Sequence, residues 1–129
     1  MSDKYKEAFF GKNPKSINES RIEYFKYLNL DFKNKKVLET GAGGVGDLTQ
    51  YFLTQTDKLT INDGRQENID KLFTTIGKEL PYNTWDLNEA VIREDDKFDV
   101  IMSFGILYHL HRPDIFIENM AKGCSEYMV

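Results

Sequence analysis

The chain has 129 residues, the size of one domain with a single core, and 40% of them are hydrophobic, which excludes intrinsic disorder. Its 17 basic and 21 acidic side chains give a net charge of −4, which disfavours nucleic acid as a partner, and no apolar run approaches the roughly 18 residues of a membrane span. One cysteine, Cys124, excludes a disulfide framework, and the charged start of the chain lacks an apolar signal region, so we expect a soluble cytoplasmic protein.

The first 34 residues predict a lead-in segment followed by a helix. Ser16 and Glu19 have the spacing of a capping box, which predicts a helix over residues 17–30. The aromatic side chains of this region form either a lid over a ligand or a plain hydrophobic cluster; they are Tyr5, Phe9, Phe10 and Tyr24.

Strands and helices alternate from residue 37 onward. Strands are predicted over residues 37–40, 58–62, 82–85 and 98–104, with a fifth strand just beginning at 126–129. Helices are predicted over residues 47–54, 67–76 and 113–122. This alternation predicts an α/β fold, a doubly wound parallel sheet with right-handed crossovers and helices on both faces.

A glycine-rich turn, residues 41–46, follows the first predicted strand and has the form G-x-G-x-x-G. The first glycine turns the chain off the strand, the second leaves space for a ligand at the backbone, and the third lets helix and strand approach. A tight turn without a ligand has the same sequence, so this signal is weak alone.

Acidic residues stand at the ends of the first three predicted strands. Asp63 lies 22 residues after Gly41, where a carboxylate accepts the hydroxyls of an adenosine ribose, although Asp-Gly is also a common turn pair. Glu39 would repel a pyrophosphate and attract an ammonium or sulfonium group. Asp86 is placed to accept a hydrogen bond from an adenine amino group.

Together these motifs resemble those of the class I S-adenosylmethionine-dependent methyltransferases. Residues 37–46 resemble the family's first motif, Asp63 its ribose-binding acid, and Asp86 its adenine-binding acid. Residues 99–109 are similar to the fourth-strand motif of members that act on small molecules. The resemblance covers residues 35–129, and its one departure is an additional residue in the glycine run.

The resemblance implies a Rossmann-like domain over residues 35–129 that binds S-adenosylmethionine, preceded by residues 1–34. The implied cofactor-binding residues are Glu39, Gly41, Ala42, Gly43, Gly46, Asp63, Gly64, Arg65, Asp86, Leu87, Ser103, Phe104 and Gly105. Asp99 is interpreted as a polar residue at a strand start, outside the site.

His109 and Tyr108 are the candidate catalytic residues, because they follow the fourth strand and a histidine titrates near neutrality. The alternative is that both side chains only shape the pocket. His109 and His111 have no further histidine or cysteine to complete a metal site, so no metal is expected.

The sequence favours a methyltransferase that acts on a small-molecule or sugar-type acceptor. It leaves open a binding module that holds S-adenosylmethionine without a complete transfer site, and an enzyme that degrades this cofactor. A nicotinamide-dependent oxidoreductase is also open, although Glu39 disfavours it.

The family's sheet has seven strands, of which we predict four and the start of a fifth. We therefore expect a domain that is incomplete at its C-terminus, with the cofactor half of the site complete and the acceptor half not. A bare edge strand favours a homo-oligomer or a partner chain that covers it, and neither a membrane nor a nucleic acid is expected as partner.

Overall fold

The computed structural model describes residues 12–129, so the predicted aromatic lead-in residues Tyr5, Phe9 and Phe10 lie outside the described residues. The helices are α1 (Lys12–Leu28), α2 (Asp47–Leu53), α3 (Gln66–Ile76) and α4 (Pro113–Lys122). The strands are β1 (Lys36–Glu39), β2 (Lys58–Asn62), β3 (Tyr82–Asn83), β4 (Phe98–Met102) and β5 (Cys124–Met128).

The five strands form one parallel sheet in the order β3-β2-β1-β4-β5. The chain moves outward from β1 to β3 and then returns to place β4 on the other side of β1. The order therefore reverses between β1 and β4, and ligands of such sheets bind in the crevice at the carboxyl ends of these strands.

The sheet is covered on both faces, because side chains of its inner strands alternate between two hydrophobic clusters. Val37 and Val100 join α1, α2 and α3 in one cluster, whereas Leu38 and Ile101 join α4 in the other. This arrangement confirms the predicted α/β fold with a doubly wound parallel sheet.

Helix α1 begins at Lys12 rather than at residue 17, so the predicted capping box of Ser16 and Glu19 is wrong: both residues lie inside the helix. Pro14 falls in the first turn, where a missing backbone N–H costs no hydrogen bond. The helix is anchored by Phe25, which is buried and stacks on Phe32 with 4.8 Å between ring centroids.

The fifth strand starts at Cys124, so the prediction that it only begins at residue 126 is wrong. It pairs with β4 from Phe98 to Ile101, and the Val129 amide also donates to the Ile101 carbonyl at 2.9 Å. Strand β4 is therefore paired on both sides.

At the opposite end of the sheet from the strand ends that carry the motifs, Asp99 accepts a hydrogen bond from the Lys36 amide at 2.8 Å. This bond holds the pKa of the Asp99 carboxyl below its ordinary value. Its position agrees with the interpretation of Asp99 as a strand-start residue. Within residues 12–129, no helix has the length and apolar character needed to cross a bilayer.

Candidate functional site

The glycine-rich turn leaves β1 with two left-handed residues, Gly41 (φ 62°) and Gly43 (φ 66°). A Cβ on Gly41 would lie 2.8 Å from Ile106 Cδ1, so a side chain at that position collides with the loop after β4. Gly46 (φ 87°) precedes α2, and a Cβ there would lie 3.2 Å from Leu72 of α3. Gly41 thus serves the sharp turn that the sequence predicted, whereas Gly46 lets α2 begin close to α3 and shows no close approach to a strand.

Three successive amides of this turn donate to groups at the end of β2. The Gly41 amide donates to Asn62 Oδ1 (3.3 Å), the Ala42 amide to the Asn62 carbonyl (2.8 Å), and the Gly43 amide to Asp63 Oδ2 (2.9 Å). These bonds hold the turn against the end of β2.

Glu39 ends β1 as a buried carboxyl group in the wall of a cavity, with 4% of its surface exposed. Burial raises the pKa of Glu39 to about 8, and the hydrogen bond that the Thr49 hydroxyl donates to Oε2 at 2.7 Å opposes this rise. A buried carboxyl without a cationic partner among the described residues is suited to receive a cationic ligand, because the ligand then stabilises its charged form.

Asp63 is 8% exposed and already accepts several hydrogen bonds. The Gly43 amide donates to Oδ2, while the Arg65 amide and the Asn68 side chain both donate to Oδ1 at 3.0 Å. A carboxylate has about four acceptor positions, so Asp63 retains room for one ribose hydroxyl. Accepting both hydroxyls would require one of these protein bonds to open.

The loop after β3 places its two predicted residues differently. Asp86 is exposed, and its Oδ1 accepts hydrogen bonds from the amide (2.9 Å) and side chain (3.0 Å) of Asn88. Leu87 is buried in the hydrophobic cluster that contains α4. Asn88 Oδ1 in turn accepts the His111 amide at 2.8 Å, which ties this loop to the one after β4.

The loop after β4 forms one side of the cavity. Phe104 and Gly105 line it, while the Ser103 hydroxyl lies behind them in a hydrogen bond with the Thr40 hydroxyl at 2.9 Å. Tyr108 and His109 follow in a short 3₁₀ turn at the cavity's opening, both exposed, with 4.3 Å between their ring centroids.

Helix α1 supplies the facing wall, with residues that sequence reasoning did not name. Asn18 donates to Asp47 Oδ2 at 3.3 Å, and Arg21 donates to Asn18 Oδ1 at 3.2 Å. The Arg21 guanidinium lies against Gly105, where a Cβ would come within 2.7 Å of Nη2. The sequence signal that could have identified them is the spacing of Asn18 and Arg21, which places a polar residue one helical turn before an arginine.

The cavity enclosed by these elements has a volume of about 310 Å³, at the lower end of the range for small-molecule sites. Eight of the predicted site residues line it: Glu39, Gly41, Ala42, Gly46, Phe104, Gly105, Tyr108 and His109. The other predicted residues lie outside its lining: Gly43, Asp63, Gly64, Arg65, Asp86, Leu87 and Ser103.

Over residues 12–129, histidine, cysteine, aspartate and glutamate side chains form no group of three that could hold a metal ion. The cavity is thus lined by the carboxyl groups of Glu39 and Asp47, the Arg21 guanidinium, and backbone, apolar and aromatic groups. Its buried Glu39 carboxyl suits a ligand that carries a cationic group.

No family model matches the chain. A curated relative, glutamyl-tRNA reductase of Halalkalibacterium halodurans, is 33% identical over 94 residues, which is 70% of this chain and 20% of that protein. So small a share of the relative leaves its activity outside what the similarity supports.

Solved structures of methyltransferases share the fold. The N-methyltransferase NodS of Bradyrhizobium japonicum is 22% identical, with a TM-score of 0.65 over 82% of this chain and 62% of that one. A methyltransferase of Clostridium acetobutylicum is 19% identical, with a TM-score of 0.66 over 96% and 53%. Phosphoethanolamine N-methyltransferase 1 of Haemonchus contortus is 19% identical, with a TM-score of 0.72 over 88% and 25%.

The chain therefore has the fold of class I S-adenosylmethionine-dependent methyltransferases, as the sequence predicted. It spans between a quarter and about three fifths of the length of these three proteins. NodS and the Haemonchus enzyme were solved with S-adenosylhomocysteine.

Proposed function

We propose that the chain binds S-adenosylmethionine and takes part in transferring its methyl group to a small-molecule or sugar-type acceptor. The observation that carries this proposal is the buried Glu39 carboxyl in a cavity at the sheet's switch point. The fold, which is shared with solved methyltransferases, adds support.

The residues present fit this cofactor at both of its ends. Glu39 suits the cationic end, and the remaining acceptor position of Asp63 suits one ribose hydroxyl. Asp86 is exposed, and Asn88 donates both of its hydrogen bonds to Oδ1 of this residue. Oδ2 accepts neither of these bonds, so it suits the adenine amino group. When bound, the cofactor supplies an electrophilic methyl group on a sulfonium.

The chain's own contribution to transfer is alignment and the exclusion of water. Tyr108 and His109 stand at the cavity's opening, where an acceptor would enter. His109 is the group that would remove a proton from a protonated acceptor atom, since an imidazole side chain can serve as a general base.

Calorimetry with S-adenosylmethionine, S-adenosylhomocysteine, NAD and NADP tests the cofactor. We expect the first two to bind and the dinucleotides not to bind. Asp63→Ala should weaken cofactor binding by roughly 1.5–3 kcal/mol if its carboxylate holds a ribose hydroxyl. Asp57→Ala is the matched control, because Asp57 is exposed and precedes β2 at the other end of the sheet. Binding of a dinucleotide alone would overturn the proposal.

Transfer is tested by incubating the chain with methyl-labelled cofactor and a pool of small metabolites. Label in a metabolite supports a methyltransferase, and His109→Ala should then lower turnover more than cofactor affinity. Tight binding without transferred label favours the binding module, and release of cleaved cofactor favours the degrading enzyme.

A further inference from the structure

A second cavity of about 330 Å³ lies beside α1 and adjoins the first. Its lining consists of Ser16, Ile17, Ser20, Arg21, Tyr24 and Phe104. Ile17, Arg21 and Phe104 also line the first cavity, so a molecule held here reaches the same space as Tyr108 and His109.

The charged part of this second cavity's lining is entirely cationic. Arg21 is its single charged group, and none of its lining residues is acidic. Among the described residues, the guanidinium donates to the neutral Asn18 amide and pairs with no carboxylate. A guanidinium has five N–H donors, and within residues 12–129 the bond to Asn18 uses one of them.

The position of Arg21 is set by its surroundings. Asn18 is held by its bond to Asp47 and in turn accepts from Arg21, which orients the guanidinium. Gly105 (φ 71°) leaves the space in which the guanidinium lies, since a Cβ there would come within 2.7 Å of Nη2. A planar cation held in this way suits bidentate binding of a carboxylate or phosphate.

The rest of the second cavity is apolar and aromatic, with hydroxyl groups at one end. Ile17 and Tyr24 are 50% and 53% exposed, so their side chains are accessible to a ligand in this cavity. A ring or short apolar body would cover both side chains and Phe104.

From these observations we infer that the second cavity binds the methyl acceptor, and that this acceptor joins an anionic group, held by Arg21, to an apolar or aromatic body. That the ligand is a methyl acceptor rests on the proposed function. The chemistry of the ligand is inferred from the cavity alone.

Phenyl phosphate is a suitable probe, because it combines both groups, and inorganic phosphate and benzyl alcohol each carry one of them. In a titration followed by amide NMR shifts, we expect phenyl phosphate to bind most tightly and to shift residues 16–24 and 104–105. Equal binding of benzyl alcohol, or shifts elsewhere in the chain, would overturn the inference.

Variants on α1 provide matched pairs. Arg21→Gln should weaken phenyl phosphate binding about tenfold or more, and Arg21→Lys should weaken it less, because the charge remains. Lys26→Gln, on the same helix but outside both cavities, should leave binding unchanged. Tyr24→Ala should weaken binding several-fold and Tyr27→Ala should not, since Tyr27 is 84% exposed and lines neither cavity.

Calorimetry of S-adenosylmethionine with the same variants separates this inference from the proposed function. Unchanged cofactor affinity in Arg21→Gln, together with lost phenyl phosphate binding, supports the acceptor site. A loss of cofactor affinity with phenyl phosphate binding retained would assign Arg21 to the cofactor and overturn the inference. Failure of the wild-type chain to bind the cofactor would instead remove the proposed function, with the phenyl phosphate result still readable.

Discussion

Single residues of the site are held in states that their ordinary chemistry disfavours. Glu39 is a buried carboxyl group, and its burial raises its pKa to about 8. In the folded state it therefore keeps its proton to higher pH than in the unfolded chain. Stability contributed by this proton is present at low pH and is lost as pH rises toward 8.

Glu39→Gln should remove this pH dependence. Between pH 5 and 8 we expect the wild-type free energy of unfolding to fall by roughly 2–5 kcal/mol relative to the variant, which denaturant titrations at a series of pH values would measure. Glu79→Gln, at an exposed position, serves as control. Parallel curves for wild type and Glu39→Gln would contradict the assignment.

Gly41 illustrates strain at a single position. Gly41→Ala should lower stability by about 1–3 kcal/mol, because it combines a left-handed backbone with a collision against Ile106. Ile106→Ala in the same chain should restore the stability lost through the collision, but not the stability lost through the left-handed backbone. Gly64→Ala is the matched control in thermal unfolding, since its Cβ would meet nothing closer than 3.8 Å; an equal loss there would remove the argument.

At the scale of elements, the end of β2 holds the loops after β1 and β3 in place. Asn62 is fully buried; its Oδ1 accepts the Gly41 amide, and its Nδ2 donates to Asn83 Oδ1 (2.7 Å) and to the Trp85 carbonyl (3.2 Å). The predicted ligand-binding loops are thus joined by one amide side chain.

Asn62→Ala should cost about 2–4 kcal/mol and speed hydrogen exchange at Gly41, because it strands buried polar groups in both loops. Asn62→Asp keeps an acceptor for Gly41 but sets a buried carboxyl group against the acceptor oxygens of Asn83 and Trp85, so its loss of stability should be at least as large as in the alanine variant. Exchange confined to other elements would show that Asn62 does not hold the glycine-rich turn.

Much of this arrangement was readable from the sequence because it is local. The run Phe98–Met102 is apolar except for Asp99, and Gly77 ends α3 in the left-handed conformation that is common for a glycine after a helix. Asn62 and Arg21 were missed because their roles arise from contacts with Gly41 and Gly105, far along the chain. The start of α1 was misplaced because a capping pattern is only a local preference, which helix formation from Lys12 overrides.

At the scale of the whole molecule, β5 forms one edge of the sheet. Its Glu126 pairs with Lys35, and the Tyr127 hydroxyl donates to the Asp31 carbonyl at 2.6 Å, so side-chain contacts hold the strand to the segment before β1. Among the described residues, no strand pairs with the outer side of β5. Coverage of this edge by a second copy or a partner chain stays a prediction.

Sedimentation at several concentrations tests self-association. We expect a dimer or larger species whose population rises with concentration, because an open strand edge pairs readily with another strand. A monodisperse monomer across the range would contradict self-association. Charge repulsion does not prevent such pairing, since the net charge is only −4.

Trp85 can report on the candidate site through its fluorescence, because its backbone accepts a hydrogen bond from Asn62. It is the chain's one tryptophan, and its backbone carbonyl is fixed by the buried amide that also holds the glycine-rich turn. Intrinsic fluorescence excited at the tryptophan band therefore comes from one position, beside Asp86 at the edge where adenine is proposed to bind. The protein carries its own optical reporter, with no label to disturb the site.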